Sequence, residues 1–337
     1  MSKEQLELLL DAAGRANSAL ILPHNDPDPD AIASAIALQY LLEQTAGLKS
    51  QLAYQGIIGR AENRALVRYL DHPLRHLTAE DLVPKTLLAL VDTQPGAGNN
   101  PWTPDMRVAL VLDHHPWRRA SRSSAVGFSD IRPDVGATAT ILLEYLQVAG
   151  LDLPSTLATA LFYGIKADTR GLSRNISSAD ADAYFFLQPR IDVEALAEIE
   201  RAQVPAAYFK SFATTLETTR VFNGLAISYV GVMQYPDLAA EIADLLLRLE
   251  QIDWVVCLGV YQDSLLVAVR TPHQWRDAGA LAQAMVKQEG AAGGHTMMAG
   301  GQLPLKGRDP DELAAVLSQR AKQFLGLDLG LAGRTLI

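Results

Sequence analysis

The sequence predicts an α/β protein, with an N-terminal parallel-sheet domain that has helices on both faces, a helical connector and a smaller C-terminal α/β domain. Short apolar segments alternate with helical patterns in the first half of the chain, and a second alternating stretch begins near residue 221. Strands that alternate with helices form parallel sheets covered by helices. The expected boundaries are 1–190 for the first domain, 191–220 for the connector and 221–337 for the second domain.

The individual elements follow from hydrophobic periodicity. In the first half we expect strands at 18–23, 86–92 and 107–113, and helices at 30–44, 135–150 and 154–168. The stretch from about 178 to 220 is predicted to be helical. In the second half we expect strands at 224–232, 254–262 and 264–270, a hairpin turn around Gln262 and Asp263, and helices at 237–250, 278–290 and near 310–325.

The composition limits the cellular setting and the partners. The single cysteine, Cys257, lies in an apolar run and is expected to be a buried thiol in a reducing, cytoplasmic protein. The sequence shows neither a membrane span nor a signal peptide, so no membrane association is expected. The net charge of −9 argues against tracking along long nucleic acid, because such proteins usually carry a basic face.

Polar residues that can bind a metal follow the three expected strands of the first half and end the helix 154–168. They are His24 with the acidic segment 25–30, Asp92, the run Asp113-His114-His115, and Asp168. In open α/β sheets, ligands bind beyond the carboxyl ends of the strands. We therefore expect these side chains to converge, although they are far apart in the sequence.

Carboxylates gathered at one edge of a sheet repel each other, and one takes up a proton unless a cation lies between them. A pair of divalent ions about 3.5–4 Å apart is a standard arrangement for phosphoester hydrolysis. Mixed histidine and aspartate ligands favour Mn²⁺ or a similar transition ion over Ca²⁺ and Mg²⁺. For the segment 25–30 alone, a solvated turn with a helix N-cap at Asp30 explains the sequence equally well. The joint pattern at three strand ends favours the metal site.

Five motifs also match a known family. In chain order they are His24, Asp28 and Asp30 in a His-x-x-x-Asp-x-Asp pattern, Asp92 in VDT, Asp113-His114-His115, Asp168 in GIKADT, and GGHTMMAGG at 293–301. Together they resemble the RecJ-like DHH phosphoesterase family with the DHH-associated C-terminal domain, over nearly the whole chain. The resemblance implies an oligoribonuclease (nanoRNase) or a dinucleotide phosphodiesterase.

The resemblance also implies a ligand set for two Mn²⁺ ions, with Mg²⁺ or Co²⁺ as substitutes. One ion would be bound by His24, Asp28 and Asp92, and the other by Asp30, Asp92, His114 and Asp168. Asp113 would orient a histidine, and His115 would face the substrate phosphate. The expected catalytic residues are therefore Asp92, Asp113, His114 and His115, whereas Asp26 has no metal role.

In the C-terminal domain, the resemblance makes 293–301 a substrate-binding loop. Gly293 and Gly294 would let backbone N–H groups approach a phosphate, and His295 would donate a hydrogen bond. Arg270 would grip the phosphate end of the substrate with its bidentate guanidinium. Without the resemblance, Arg270 would be interpreted as a surface charge at a strand end.

The expected function is a manganese-dependent phosphodiesterase that hydrolyses short oligonucleotides or linear dinucleotides to mononucleotides by a two-metal mechanism. Cyclic dinucleotides and 3′-phosphoadenosine 5′-phosphate stay open as alternative substrates, and so does a nucleotide-binding regulator without turnover. Pyrophosphate hydrolysis is a further rival, although sister families with that activity have a different C-terminal domain. A homodimer is expected only by analogy with the family.

Overall fold

The computed structural model describes residues 2–14, 16, 18–82, 86–122, 126–174, 176–294 and 296–337. The chain divides into two compact units, Met1–Ala202 and Gln203–Ile337, called here the N-terminal unit and the C-terminal unit. The division falls within the predicted connector, 191–220. Each unit contains a sheet and helices, which confirms the predicted α/β class. No helix among the described residues has both the length and the apolar character needed to cross a membrane.

The N-terminal unit is built on a six-stranded parallel sheet. Its strands are β1 (Ala19–Pro23), β2 (Ser50–Tyr54), β3 (Leu74–His76), β4 (Leu87–Val91), β5 (Val108–Asp113) and β6 (Val126–Ile131). Its helices are α1 (Lys3–Ala13), α2 (Pro29–Ala46), α3 (Ala61–Tyr69), α4 (Thr138–Val148), α5 (Ser155–Asp168), α6 (Ser178–Leu187) and α7 (Val193–Glu200). The strand order is β3-β2-β1-β4-β5-β6, so the order reverses between β1 and β4.

The register of the central strands brings their carboxyl ends to the same level. Pro23 of β1 pairs with Val91 of β4, and Val91 pairs with Leu112 of β5. The residues that follow these three positions therefore lie side by side at one edge of the sheet. This edge is where ligands bind in open α/β sheets.

The two faces of this sheet are covered differently. Side chains such as Ile21, Val91 and Leu112 join the large core cluster that also contains buried residues of α1 to α7. On the other face, side chains such as Leu22 and Leu90 form a smaller cluster. The residues packed against it, Leu77, Leu82 and Trp102, belong to connecting segments and not to helices or strands. The strands β1 and β4 are buried on both faces, which explains their continuous apolar sequences.

A glycine lets two helices of the large core meet closely. A Cβ atom at Gly164 of α5 would lie 3.1 Å from Cα of Asp30 and 3.2 Å from the carbonyl oxygen of Pro29, in the first turn of α2. Such distances are tighter than ordinary van der Waals contact, so a side chain at this position would push the helices apart. Glycine therefore fixes the distance between α5 and the first turn of α2.

The C-terminal unit is built on a seven-stranded mixed sheet in the order β11-β12-β10-β9-β8-β7-β13. Its strands are β7 (Arg220–Phe222), β8 (Leu225–Val232), β9 (Trp254–Tyr261), β10 (Ser264–Arg270), β11 (Ala291–Gly294), β12 (Met298–Pro304) and β13 (Arg334–Thr335). Its helices are α8 (Ala206–Thr218), α9 (Leu238–Leu246), α10 (Ala278–Val286) and α11 (Pro310–Phe324). The expected hairpin turn at Gln262 and Asp263 joins β9 to β10, which pair antiparallel.

The glycine-rich segment 293–301, expected to be a loop, is largely a β-hairpin of β11 and β12. Gly293 pairs with Gly300, and Gly294 pairs with Ala299. A Cβ atom on Gly294 would lie 2.4 Å from Cα of Ala299, so this close approach of two strands requires glycine. His295, predicted to bind substrate, lies outside the described residues.

The burial of Cys257 leads to a test of the C-terminal core. The thiol lies in the central strand β9 and is fully buried; burial raises its pKa to about 12, although the charge of Arg270 opposes the change. We expect the native protein not to react with a thiol reagent at pH 8, because the reactive thiolate is both scarce and inaccessible. In denaturant, one thiol per chain should react, and rapid labelling of the native protein would contradict the buried position of β9.

Candidate metal centre

Three neighbouring strands deliver His24, Asp92 and His114 to one place, as the sequence predicts. The Nε2 atom of His24 lies 3.5 Å from Oδ2 of Asp92, and Nε2 of His114 lies 3.5 Å from Oδ1 of the same carboxylate. The two oxygens of Asp92 therefore face different histidines. This arrangement follows directly from the register of β1, β4 and β5.

The backbone at Asp92 is left-handed, with φ of +57°. Its N–H donates to the carbonyl oxygen of Leu112 at 2.9 Å, which continues the pairing of β4 with β5 for one more residue. A left-handed residue other than glycine costs about 1–2 kcal/mol. Such strain often occurs at functional positions, where the surrounding structure holds it in place.

The start of α2 supplies two more carboxylates, and the structure corrects one detail of the prediction. Asp28, and not Asp30, is the N-cap, because its side chain accepts the N–H of Ala31 at 3.0 Å. Its Oδ1 atom also lies 3.7 Å from Nε2 of His24. Asp30 lies inside the first turn, is fully buried, and accepts the backbone N–H groups of Thr138 and Ala139, each at 2.7 Å.

The last carboxylate, Asp168, comes from the C-terminal end of α5. Its Oδ2 atom lies 3.1 Å from Nε2 of His114. Asp168 follows Gly164 by one helical turn, so the close contact of α5 with α2 also sets the position of Asp168 relative to Asp30. A negative charge at a helix C-terminus is unfavourable to the helix dipole, and the neighbouring histidine offsets this cost.

The predicted ligands form groups whose donor atoms lie within 4.8 Å of one another. The groups are His24, Asp28 and Asp92; Asp30, His114 and Asp168; and Asp92, His114 and His115. The first group contains the three residues expected for one ion, and the second contains three of the four expected for the other, without Asp92. Each group combines imidazole nitrogen with carboxylate oxygen, a donor set that suits a transition metal better than Ca²⁺.

The imidazole nitrogens are also arranged as in metal-binding histidines. The Nδ1 atom of His24 lies 2.7 Å from the carbonyl oxygen of Asn25, and Nδ1 of His114 lies 3.3 Å from that of Val135. Such contacts fix the tautomer and leave Nε2 to bind the metal. Within the described part of the chain, the buried Nε2 of His114 makes no hydrogen bond of normal geometry. A buried nitrogen in this state fits a metal ligand.

The titration of His24 and Asp28 reflects their proximity. Burial lowers the pKa of His24, but the contact with Asp28 and the charges of Asp28 and Asp92 outweigh burial and raise this pKa to about 10. Burial raises the pKa of Asp28, but the contact with His24 and its charge hold that pKa well below its usual range. In the absence of a metal ion the two groups therefore form an ion pair at neutral pH, and a cation bound by Nε2 of His24 would displace its proton.

The buried carboxylates of Asp30 and Asp92 repel each other. Burial and the negative charges of Asp168 and Asp28 raise the pKa of Asp30 to about 7, against the opposing charge of His114 and the N–H of Ala139. Burial and the charge of Asp30 raise the pKa of Asp92 well above its usual range. A cation that bound here would replace protons on these groups.

His115 is held in a different way. Its Nδ1 atom and its backbone N–H contact Oδ1 of the buried Asp113 at 2.8 and 3.1 Å. The other oxygen of Asp113 accepts from Nε2 of Gln94 at 2.7 Å. Burial raises the pKa of Asp113, but the hydrogen bond and charge of His115 outweigh burial and lower it. The histidine oriented by Asp113 is thus His115, whose side chain is 37% exposed.

Three of the predicted substrate-binding residues, Arg270, Gly293 and Gly294, lie in the described part of the C-terminal unit. Arg270 is buried, and its guanidinium donates to Oδ1 of Asp244 at 2.7 Å and to the carbonyl oxygens of Val269 and Ala299 at 3.0 and 3.4 Å. It is therefore not the surface charge that the sequence alone suggests. Gly293 is exposed and has open space where a side chain would be.

Two residues of the N-terminal unit were not predicted. Thr138 donates its hydroxyl to Oδ1 of Asp92 at 2.8 Å, and both residues are buried. Asp180 is fully buried and accepts the N–H of Gly136 at 2.8 Å and the hydroxyl of Thr140 at 2.6 Å. The pattern SSAD (177–180) is a helix-capping signature and points to Asp180 as a cap, but no sequence signal indicates its contact with the start of α4.

Comparisons with known proteins agree with this geometry. Residues 18–165 match the model of the DHH family, N-terminal domain. An uncharacterized protein from Methanocaldococcus jannaschii is 34% identical over 287 residues, which cover 85% of this chain and 58% of that protein. A probable manganese-dependent inorganic pyrophosphatase from Staphylococcus saprophyticus is 28% identical over 149 residues, which cover 44% of this chain and 47% of that protein. The chain thus spans about half the length of these relatives.

A solved structure shows the same fold. The crystal structure of an exopolyphosphatase-related protein from Bacteroides fragilis matches with a TM-score of 0.71 at 14% sequence identity, and the match covers 96% of this chain and 97% of that chain. The matched region 18–165 contains His24, Asp28, Asp30, Asp92 and Asp113-His114-His115. Residues 18–165 of this chain are therefore similar to the N-terminal domain of the DHH family.

Proposed function

We propose that this protein is a phosphoesterase dependent on divalent metal ions, and that it hydrolyses short oligonucleotides or linear dinucleotides to mononucleotides. The observation that carries the proposal is a pair of neighbouring donor groups, one of which contains Asp92, while Nε2 of His114 in the other lies 3.5 Å from Oδ1 of Asp92. His24, Asp28 and Asp92 would hold one ion, and Asp30, Asp92, His114 and Asp168 would hold the other. The name of the staphylococcal relative supports Mn²⁺ as the metal, with Mg²⁺ or Co²⁺ as substitutes.

The donor groups would place the metal ions next to the scissile phosphate. These residues would hold divalent ions that, when bound, would supply Lewis-acid stabilisation of the negative charge on the phosphoryl oxygens. The chain's own residues orient this centre. Asp92 is fixed by Thr138, and His115 is fixed by Asp113.

His115 is the residue that we assign to substrate contact. Its side chain is 37% exposed, whereas that of Asp92 is 2% exposed, so His115 lies at the solvent side of the donor groups. Its Nδ1 atom contacts Asp113, and we assign the other ring nitrogen, Nε2, to the contact with a substrate phosphate. His115 would therefore bind a phosphoryl oxygen, while the ligands beneath it hold the metal.

The charge of the protein supports a small substrate. The net charge is −9, and the donor groups are themselves acidic. A long nucleic acid would gain little from counterion release on such a protein. A short substrate needs only the local neutralisation of one phosphate.

Inorganic pyrophosphate is a second candidate substrate, because the staphylococcal relative that matches 149 residues carries the name of a pyrophosphatase. Cyclic dinucleotides and 3′-phosphoadenosine 5′-phosphate are further candidates with the same chemistry. Each would use the same donor groups. The four substrates differ in what surrounds the reacting phosphorus.

A substrate panel tests the proposal. Purified protein with Mn²⁺ should release mononucleotides from a linear dinucleotide faster than it turns over cyclic dinucleotide, phosphoadenosine phosphate or pyrophosphate, as measured by chromatography. Turnover of pyrophosphate alone would favour the second candidate. A protein that hydrolysed none of the four substrates would contradict the proposal.

Replacement of the shared ligand tests the centre itself. We expect D92N to lower kcat by at least about 100-fold, because changes to mere supporting partners of metal ligands cost about 10–100-fold. Calorimetry should show weaker Mn²⁺ binding by the same variant. Asp26 offers a matched control, since its side chain accepts the N–H of Ile57 at 2.7 Å and belongs to no donor group. D26N should retain activity within about threefold of the unaltered protein, and full activity of D92N would refute the shared role of Asp92.

Arg270 is predicted to contact the substrate, but the structure buries it in the C-terminal core. Variants of Arg270 and of its partner Asp244 test which of these two roles it has. The side chain of Arg270 is 5% exposed and pairs with Asp244, so R270Q should lower the melting temperature by removing from the core the hydrogen bonds of the guanidinium to Asp244 and to two backbone carbonyl oxygens. D244N should lower it less. We expect the KM for a dinucleotide to change less than about threefold in both variants. A tenfold rise in KM for R270Q alone would restore the predicted contact with the substrate.

A further inference from the structure

The start of α4 donates hydrogen bonds to three buried carboxylates. The backbone N–H groups of Thr138 and Ala139 donate to Asp30, and the hydroxyl of Thr138 donates to Asp92. The N–H of Gly136 and the hydroxyl of Thr140 donate to Asp180. Residues 136–140 therefore connect two predicted metal ligands to a carboxylate that belongs to none of the donor groups.

The hydroxyl of Thr138 contacts one of the two carboxylate oxygens of Asp92. It donates to Oδ1 at 2.8 Å, the oxygen that lies 3.5 Å from Nε2 of His114. The other oxygen, Oδ2, lies 3.5 Å from Nε2 of His24. With Oδ1 held in this way, one oxygen faces each donor group, as a carboxylate shared by two ions requires.

The backbone of the same residue holds a ligand of the second group. The N–H of Thr138 donates to Oδ2 of Asp30, and that of Ala139 donates to Oδ1, each at 2.7 Å. Both oxygens of Asp30 are thus fixed by the first turn of α4. A carboxylate at a helix N-terminus is further stabilised by the helix dipole.

Asp180 fixes the segment that carries Thr138. Its Oδ2 atom accepts the N–H of Gly136, two residues before Thr138, and its Oδ1 atom accepts the hydroxyl of Thr140, two residues after it. Oδ2 also accepts the N–H and the hydroxyl of Ser177 at 2.7 Å each, which ties the segment to the start of α6. A fully buried carboxylate with these partners leaves the first turn of α4 little freedom to move.

We propose that Thr138 is a positioning residue for the metal pair, that it holds Asp92 in the orientation that joins the two ions, and that Asp180 supports it. The inference rests on the proposed metal centre and deepens it. It assigns to Thr138 the coupling between the two ions, and not the binding of either ion alone. Loss of the hydroxyl would let Asp92 rotate towards one group.

The test measures the metal centre without turnover. Valine has nearly the shape of threonine without the hydroxyl, so T138V should fold normally, as judged by circular dichroism and thermal melting. The unaltered protein should bind two Mn²⁺ ions per chain and give the electron paramagnetic resonance spectrum of an exchange-coupled pair. We expect T138V to bind one of the ions about 10–100-fold more weakly and to give the spectrum of isolated Mn²⁺.

Two controls separate positioning from packing. T138S keeps the hydroxyl and should keep the coupled spectrum. T215V removes a buried hydroxyl that donates within α8 of the C-terminal unit, to the carbonyl oxygen of Ser211 at 2.7 Å, and should also keep that spectrum. Two ions with unchanged affinity and an unchanged coupled spectrum in T138V would overturn the inference.

A second variant keeps the inference testable if T138V does not fold. D180N leaves Thr138 in place but replaces one acceptor oxygen of residue 180 with an amide group, so the first turn of α4 should be held less firmly. We expect a weaker second ion and a reduced coupled signal in D180N, whereas unchanged values would count against the supporting role. If the unaltered protein itself binds fewer than two Mn²⁺ ions, the proposed metal centre fails, and the role of Thr138 fails with it.

Discussion

Repulsion among carboxylates in a small, largely buried volume is the constraint on which the N-terminal unit depends. Asp30 and Asp92 are almost inaccessible to water, and Asp28 and Asp168 lie within reach of the same histidines. Burying such groups without partners is expensive. The fold offsets part of the cost through His24 and His114 and through the N–H groups at the start of α4. A divalent cation in the proposed centre would offset the repulsion that remains among these carboxylates.

The ligands come from positions where the backbone itself is fixed. The three strand ends are held by the register of a parallel sheet, and Asp28 and Asp30 are held by the first turn of α2. The supporting groups are mostly backbone N–H and carbonyl groups near these ends. A donor set placed on rigid elements in this way needs little rearrangement when an ion binds.

The sequence predicted the parts of this arrangement that depend on side-chain type. The strands β1, β4 and β5 are continuous apolar runs that end in polar residues, so both their existence and the convergence of His24, Asp92 and His114 could be inferred. The strands β2, β3 and β6 were not predicted. They are short or partly exposed, and their sequences lack a clear period.

Other contacts could not be predicted because they are made by the backbone or across long sequence separations. The hydrogen bonds to Asp30 come from N–H groups 108 and 109 residues further along the chain, and any residue type except proline could supply them. The hairpin of β11 and β12 resembled a loop because glycine is rare in strands, yet the missing side chains are what allow the two strands to approach. The loop after β4 is held in a similar way, because the side chains of Asn99 and Asn100 contact the hydroxyl of Thr93.

Because of the close contact at Gly164, the geometry of the candidate metal centre also depends on a residue that has no side chain to bind a ligand. A single methyl group at this position would have to displace the first turn of α2 by a few tenths of an ångström. Asp30 moves with that turn, whereas Asp168 stays on the other helix, so the added carbon would act as a spacer between two carboxylates that it never touches. A related chain could thus retain all its acidic and imidazole side chains and still lose affinity for its cation through a change in interior volume.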